Sequence, residues 1–198
     1  MRKPFSESCE QNKEPILAVL REVLAGCHRV LEIGSGTGQH AIYFARHLPH
    51  LTWLTSDVSD QHAGIRAWLE EAGLPNVRPP LALDVDQAVW PAERIDAVFS
   101  ANTAHIMAWP SVQHMFEGVA RILAPDGVLC LYGPFNEGGR YTSPGNARFD
   151  AWLRQRDPDS GVRDVEDLDA LAAGHGMCRV ADYPMPTENR TLVWSRAS

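Results

Sequence analysis

Val30-Leu31-Glu32-Ile33-Gly34-Ser35-Gly36-Thr37-Gly38 is the stretch whose reading decides the fold. Val30, Leu31 and Ile33 form the short apolar run expected of a central strand in a parallel sheet. The alternate glycines that follow allow a tight turn whose backbone a ligand can approach with no Cβ in the way. Beyond the turn, Gln39 to Leu48 is predicted to be helical, with Ile42, Phe44, Ala45 and Leu48 as its apolar residues. Strand, glycine turn and helix make the opening unit of a nucleotide-binding α/β sheet.

The spacing of the glycines bears on which nucleotide. A dinucleotide fingerprint, G-x-G-x-x-G, would place its third glycine at Gln39, whereas here it falls at Gly38. A phosphate-cradling P-loop is disfavoured because the turn holds no lysine. Gly34-x-Gly36-x-Gly38 preceded by the acidic Glu32 resembles motif I of the class I S-adenosylmethionine (SAM) methyltransferases. On three glycines alone, a turn that merely joins strand to helix is the competing reading.

The totals narrow the class. A chain of 198 residues with 44% hydrophobic and 22% charged content suits one globular domain, residues 1–198, with helices on both faces of a sheet. The formal net charge of −7 argues against a broad nucleic-acid footprint. Cys9, Cys27, Cys130 and Cys178 lie far apart with no C-x-x-C pair. A reducing, cytoplasmic setting is therefore expected, with neither zinc knuckle nor disulfide framework. His40 and His47 lack a spaced third ligand, so no metal is expected. No secretory or membrane-length apolar run is present in the sequence. The expected partner is a small molecule, not a nucleic acid or a membrane.

Along the chain, Pro15 suits the first turn of a helix that runs to Leu24 and stops at Gly26. Leu51 to Ser56 should be the second strand, ending at Asp57. That places Asp57 about twenty residues past the turn, where a carboxylate can accept both hydroxyls of a ribose. A helix from Gln61 to Ala72 and a short strand at Leu81-Ala82-Leu83 follow, the latter closed by Asp84-Val85-Asp86. Ile95 to Ser100 is the fourth strand and runs into Asn102 and His105. Ligands bind beyond the carboxyl ends of such strands, so both residues are candidates to face cofactor and substrate. A helix from Trp109 to Leu123, a turn at Ala124-Pro125-Asp126-Gly127 and a strand from Val128 to Pro134 come next. Phe135 to Phe149 reads as a long polar loop that can close as a lid, with Gly138-Gly139 as hinge. Helices are expected over Arg148 to Arg154 and Asp164 to Gly174. The last two strands, Met177 to Tyr183 and Thr191 to Trp194, form a hairpin.

Over nearly its whole length the chain resembles a class I SAM-dependent methyltransferase. More narrowly, it is similar to a small family of unknown function that includes methyltransferase-like protein 26. The matching stretches are Asn12-Lys13-Glu14-Pro15-Ile16-Leu17, Leu31 to His40, Ser56-Asp57, Tyr132-Gly133-Pro134-Phe135, Gly139-Arg140-Tyr141-Thr142-Ser143 and Asn146-Ala147-Arg148-Phe149-Asp150. The resemblance implies an α/β, Rossmann-like fold with a seven-stranded, mostly parallel sheet and an antiparallel C-terminal hairpin. It implies SAM as cofactor, bound by Glu32, Gly34, Ser35, Gly36, Gly38, Asp57 and Asn102. Asp84 would reach the adenine amino group and Val85 would pack on the ring. His105 is the candidate base because imidazole changes charge near neutral pH. Asn136, Arg140 and Tyr141 are candidates to orient a polar substrate under the lid. The competing functions are a SAM-binding protein without catalysis and a nicotinamide-dependent oxidoreductase.

Overall fold

The computed structural model describes residues 3–90 and 94–197. In chain order the elements are α1 (Glu7–Val23), β1 (Arg29–Ile33), α2 (Gln39–His47), β2 (Thr52–Asp57), α3 (His62–Ala72), β3 (Val77–Ala82) and β4 (Ile95–Ala101). They continue with α4 (Trp109–Ile122), β5 (Leu123–Asn136), α5 (Pro144–Arg156), β6 (Arg163–Asp164), α6 (Val165–Gly174), β7 (Met177–Met185) and β8 (Asn189–Arg196). Seven strands line up as β3-β2-β1-β4-β5-β8-β7, and the two-residue β6 adds to β5. β1 to β5 run parallel. β8 is antiparallel to both β5 and β7. The expected sheet and its final hairpin are both present.

Side chains alternate across each strand, and that period divides the core in two. On one face Leu31, Val98, Leu129 and Leu131 pack with Val112, Phe116 and Val119 of α4 and Leu168 of α6. On the other, Val30, Trp53, Ala97, Phe99 and Cys130 pack with Ile16 and Leu20 of α1 and Phe44 of α2. β1 is flanked by β2 and β4, so the chain leaves its two sides in opposite directions. The crevice beyond the carboxyl ends of β1 and β4 is where such sheets bind ligands.

Four elements differ from expectation. α1 begins at Glu7, a full two turns before Pro15, because Ser6 caps it by accepting the Cys9 N–H and Glu7 and Glu10 suit its positive end. Pro15 thus lies inside the helix. β3 reaches back to Val77 through Pro79 and Pro80, which an edge strand tolerates. The turn at 124–127 is a bulge within β5: Leu123 pairs with Ile95, the next pair is Val128 with Ala97, and Asp126 takes φ 60°.

The fourth difference concerns the expected lid. β5 runs through Asn136, and Glu137 and Arg140 then exchange backbone hydrogen bonds of 3.0 and 3.1 Å. Gly138 and Gly139 between them have φ 58° and 70°, so the pair read as a hinge is a two-residue hairpin turn. The Gly139 N–H donates to Asp164 Oδ2 at 2.9 Å, and Ser143 caps α5 immediately afterwards. Residues 135–149 are therefore strand, turn and helix, tied down by their neighbours.

Candidate functional site

The glycine turn is assembled on a buried hydrogen-bonded scaffold. The Glu32 carboxylate accepts from Ser35 Oγ at 2.9 Å and from Trp53 Nε1 at 3.1 Å, both at Oε2. Ser35 Oγ in turn accepts the Ser56 N–H, and the Ser35 N–H donates to the Ser56 carbonyl at 2.9 Å. Burial raises the Glu32 carboxyl to about 7, against the lowering effect of its two donors. Glu32 and Ser35 are 2% and 6% exposed, so they hold the turn from behind and do not line its open side. That corrects their expected role as direct cofactor contacts.

The glycines of the turn have distinct reasons to be there. A Cβ on Gly34 would stand 2.6 Å from Thr103 Cγ2, so Gly34 lets the β4–α4 loop pack against the turn. A Cβ on Gly38 would stand 3.2 Å from the Ile65 backbone, which keeps α3 close. Gly36 differs from both: φ is +56° and nothing lies within 4 Å of where its Cβ would be. Its N–H donates to Asp57 Oδ2 at 2.8 Å, which brings that carboxylate to the open side of the turn. Asp57 Oδ1 accepts the Val58 N–H at 2.8 Å. Each carboxylate oxygen has further lone-pair capacity, as a ribose diol requires. Open space at Gly36 beside a half-buried carboxylate fits a nucleoside.

Of the residues after β3, Asp84 is exposed and its Oδ1 accepts the Asp86 N–H at 3.0 Å. Val85 is buried in the core with α4, which corrects the expectation that it packs on a ligand ring. Asp86, by contrast, braces α4 by accepting from Ser111 Oγ and His114 Nδ1.

A cavity of about 570 Å³ opens beyond the ends of β4 and β5. Asn102 and His105 lie in its wall, with Tyr132 and Pro134 from β5. Further lining comes from α1 (Ser8, Gln11, Asn12, Pro15), α5 (Asn146, Phe149, Trp152, Arg156), the β7–β8 connection (Pro186, Thr187) and the first residue of β8, Asn189. Asn102 takes φ 58° and donates its N–H to the Tyr132 carbonyl at 2.9 Å. A Cβ on Gly133 would lie in ordinary van der Waals contact, 3.6 Å from His105 Nδ1 and 3.8 Å from Asn102 Oδ1.

His105 is 5% exposed and meets Phe149 edge-on at 5.1 Å. Among the described residues no hydrogen bond engages its imidazole. Burial, with a smaller effect from the Arg163 charge, lowers it to about 4, so it is neutral at pH 7. Its loop is clamped by the segment after α5. The Gly161 N–H donates to the His105 carbonyl at 2.9 Å, Ser160 Oγ to Ile106 O at 3.0 Å, and Arg163 to the carbonyls of Ala104 and Met107. Behind the cavity, His40 Nε2 lies 2.7 Å from Asn12 Oδ1, tying α1 to α2.

Arg140 and Tyr141 are not in the cavity wall. Tyr141 OH donates to Asp150 Oδ2 at 2.8 Å; Asp150 is 2% exposed and also accepts from Arg154 Nε and the Val162 N–H. This cluster braces α5. Sequence reasoning missed Asn12, Phe149, Trp152 and Asn189 as cavity residues. The signal for Asn12 and Phe149 lay in the matching stretches Asn12 to Leu17 and Asn146 to Asp150; Trp152 and Asn189 carried none. Among the described residues no group of three or more His, Cys, Asp or Glu is placed to hold a metal ion. None of their helices is long and apolar enough to cross a membrane.

The strand order, the antiparallel hairpin and the glycine turn together are an α/β, Rossmann-like methyltransferase fold. The O-methyltransferase family 2 protein of Planctomyces limnophilus DSM 3776, solved in complex with apigenin, superposes with a TM-score of 0.84 at 15% identity. The match covers 96% of this chain and 58% of that one. The SAM-dependent methyltransferase SibL, in its apo form, gives 0.82 at 23% identity, over 96% and 56%. NcsB1, an O-methyltransferase from neocarzinostatin biosynthesis solved with SAM and 2-hydroxy-5-methyl naphthoic acid, gives 0.78 at 16%, over 96% and 55%. The chain thus spans little more than half the length of these proteins. By sequence, it belongs to the family described as "Protein of unknown function (DUF938)", whose model matches residues 3–196.

Proposed function

We propose that this chain is a SAM-dependent methyltransferase acting on a small polar molecule. The observation that carries the reading is the β4–α4 loop, which serves both halves of the site. Thr103 packs on Gly34 of the turn, while its neighbours Asn102 and His105 lie in the cavity wall. A nucleoside held at Gly36 and Asp57 would therefore end beside the cavity. When bound, SAM supplies an electrophilic methyl group. The remaining work is done by the chain: Asp57 accepts the ribose hydroxyls, Asn102 marks the junction, and the walls hold the acceptor in line and exclude water. Alignment of this kind accounts for about 7–11 kcal/mol of barrier lowering. His105, neutral and clamped by its backbone, serves as a hydrogen-bonding group more readily than as a store for a proton.

Two finer points belong to the same reading. The resemblance to the family of methyltransferase-like protein 26 is carried by the matching sequence stretches. A reducing, cytoplasmic location suits the free thiols of Cys9, Cys27, Cys130 and Cys178. A second function, SAM binding without catalysis, is favoured by the weak basicity of His105. Calorimetry with SAM, S-adenosylhomocysteine and NAD tests the cofactor, and tighter binding of NAD overturns it. An acceptor screen of metabolite extract with isotopically labelled SAM separates enzyme from binder: a labelled product supports the enzyme, and its absence supports the binder.

A further inference from the structure

The cavity wall has an uneven chemistry. Among the described residues no Asp, Glu or Lys lines it, and Arg156 is its one charged member. Arg156 itself is exposed and covers the Trp152 ring at 4.6 Å. Five of the polar groups are carboxamides, and two of these have spent their donors on the protein. Asn146 Nδ2 donates to Thr142 Oγ1 at 2.8 Å and to the Glu188 carbonyl at 3.2 Å. Asn189 Nδ2 donates to Thr187 Oγ1 at 2.9 Å and to the Pro186 carbonyl at 3.3 Å. Backbone carbonyls only accept, so these partners fix which way each amide points. Both Oδ1 atoms are left without a hydrogen bond among the described residues, and Asn146 is 6% exposed.

One backbone carbonyl beside the cavity lacks its usual helical donor. Pro15 lies inside α1 and has no N–H for the carbonyl four residues before it, that of Gln11. Gln11 and Pro15 are both in the cavity wall. The site therefore combines uncharged oxygen acceptors with an aromatic wall, in which Phe149 and Trp152 stack on each other at 5.8 Å and 18° with Arg156 over the Trp152 ring. An amino group has two hydrogens for such oxygens, where a hydroxyl has one. A carboxylate has none and would face oxygen lone pairs.

We propose that the methyl acceptor is a neutral amino group on a flat aromatic or heteroaromatic ring, read by Asn146, Asn189 and the Gln11 carbonyl. This inference rests on the methyltransferase reading above. The chemistry balances without a strong base. The amine lone pair forms the N–C bond as the C–S bond to the methyl breaks, and that bond's electron pair stays on sulfur. The arylammonium product then gives its proton to water at the cavity mouth. A hydroxyl would need its proton taken before or during attack, and the cavity offers only His105, held near 4 by burial, for that task.

Calorimetry decides the matter with four matched probes: quinoline and its amino, hydroxy and carboxylate derivatives, substituted at one ring position. Each is titrated into the full chain with and without saturating S-adenosylhomocysteine. The aminoquinoline should bind about tenfold more tightly than the hydroxyquinoline, the equivalent of one added hydrogen bond. The carboxylate should bind most weakly of the substituted probes. Asn189→Leu should remove the preference for the amine while the affinity for S-adenosylhomocysteine stays the same. Pro15→Ala, which gives the Gln11 carbonyl a helical partner, should reduce the preference without loss of fold. Equal binding of the three substituted probes, tighter binding of the hydroxyl or carboxylate compound, or no binding of any probe overturns the proposal. Failure of S-adenosylhomocysteine to bind would instead count against the parent reading, because the order of the probes is measured without it as well.

Discussion

The glycine turn after β1 and the cavity beyond β5 share one edge of the sheet, but they are built from different materials. The turn is local: Glu32, Ser35, Gly36 and Asp57 come from two adjacent strands and the loop between β1 and α2. Its contact surface is backbone plus one carboxylate. The cavity gathers side chains from α1, the β4–α4 loop, β5, α5 and the β7–β8 connection. A turn of that kind can be read from spacing. A cavity assembled from five distant segments leaves little periodic trace.

If the turn is a backbone cradle, filling it should cost the most. Gly36→Val should lower affinity for S-adenosylhomocysteine by about a thousandfold or more, near 4 kcal/mol. The fold should persist, because the new side chain meets open space and pays about 1–2 kcal/mol for the left-handed backbone. Circular dichroism and calorimetry read the two effects separately. Normal binding by that variant would move the site away from the turn.

The scaffold and the cavity should also part company with pH. Glu32 has a carboxyl raised from 4.5 to about 7 when folded, so the native state holds its proton over a range where the unfolded chain has lost it. Its contribution is thus full below about 4.5 and is lost as pH rises through 7, amounting to about 3 kcal/mol. His40, lowered from 6.5 to about 4 by burial, acts in the opposite sense: its contribution is present above 6.5 and lost as pH falls toward 4. Glu32→Gln keeps an oxygen for Ser35 and Trp53 and should cancel the first slope while leaving the second. Denaturant melts of both proteins from pH 4 to 8 give the difference; parallel curves would mean Glu32 is not a buried acid.

Asp57→Ala should weaken S-adenosylhomocysteine by about 1.5–3 kcal/mol, the range for a hydrogen bond to a charged group. An unchanged dissociation constant would place the ribose elsewhere. On the cavity side, Pro15→Ala should raise stability by about 2 kcal/mol, since proline inside a helix costs about 3 and its rigidity in the unfolded chain returns part of that. A melt that is unchanged or lower would mean that the Gln11 carbonyl already has a good partner.

What the sequence made legible follows the same division. The individual strands and the closing hairpin came from apolar runs and turn residues, whose periods are local. The glycines of the turn were legible, but not that Gly34 answers to Thr103 or that Glu32 stands behind the turn. Those facts need the β4 loop and Trp53 of β2 in place. Val85 was placed on a ligand from its neighbour Asp84, whereas the turn after β3 buries it in the core with α4. Gly138-Gly139 looked like a hinge because two glycines mean both freedom and a two-residue hairpin turn; only the pairing of Glu137 with Arg140 selects the second. α1 was read as starting at Pro15, because proline more often begins a helix than interrupts one. That choice hid Gln11 and Asn12 from the candidate site. His105 was identified by its strand end, and its weak basicity follows from burial that no spacing reveals.

The central claim is that nucleoside and acceptor occupy separate regions joined at Asn102. A crystal structure of the chain with S-adenosylhomocysteine tests it most directly. The account predicts the ribose hydroxyls within hydrogen-bond distance of Asp57, the backbone of Gly36 against the ligand, the sulfur beside Asn102, and the cavity between Asn146 and Asn189 free of nucleoside. A nucleoside seated between Phe149 and Asn189, with Asp57 making no contact to it, would contradict the account.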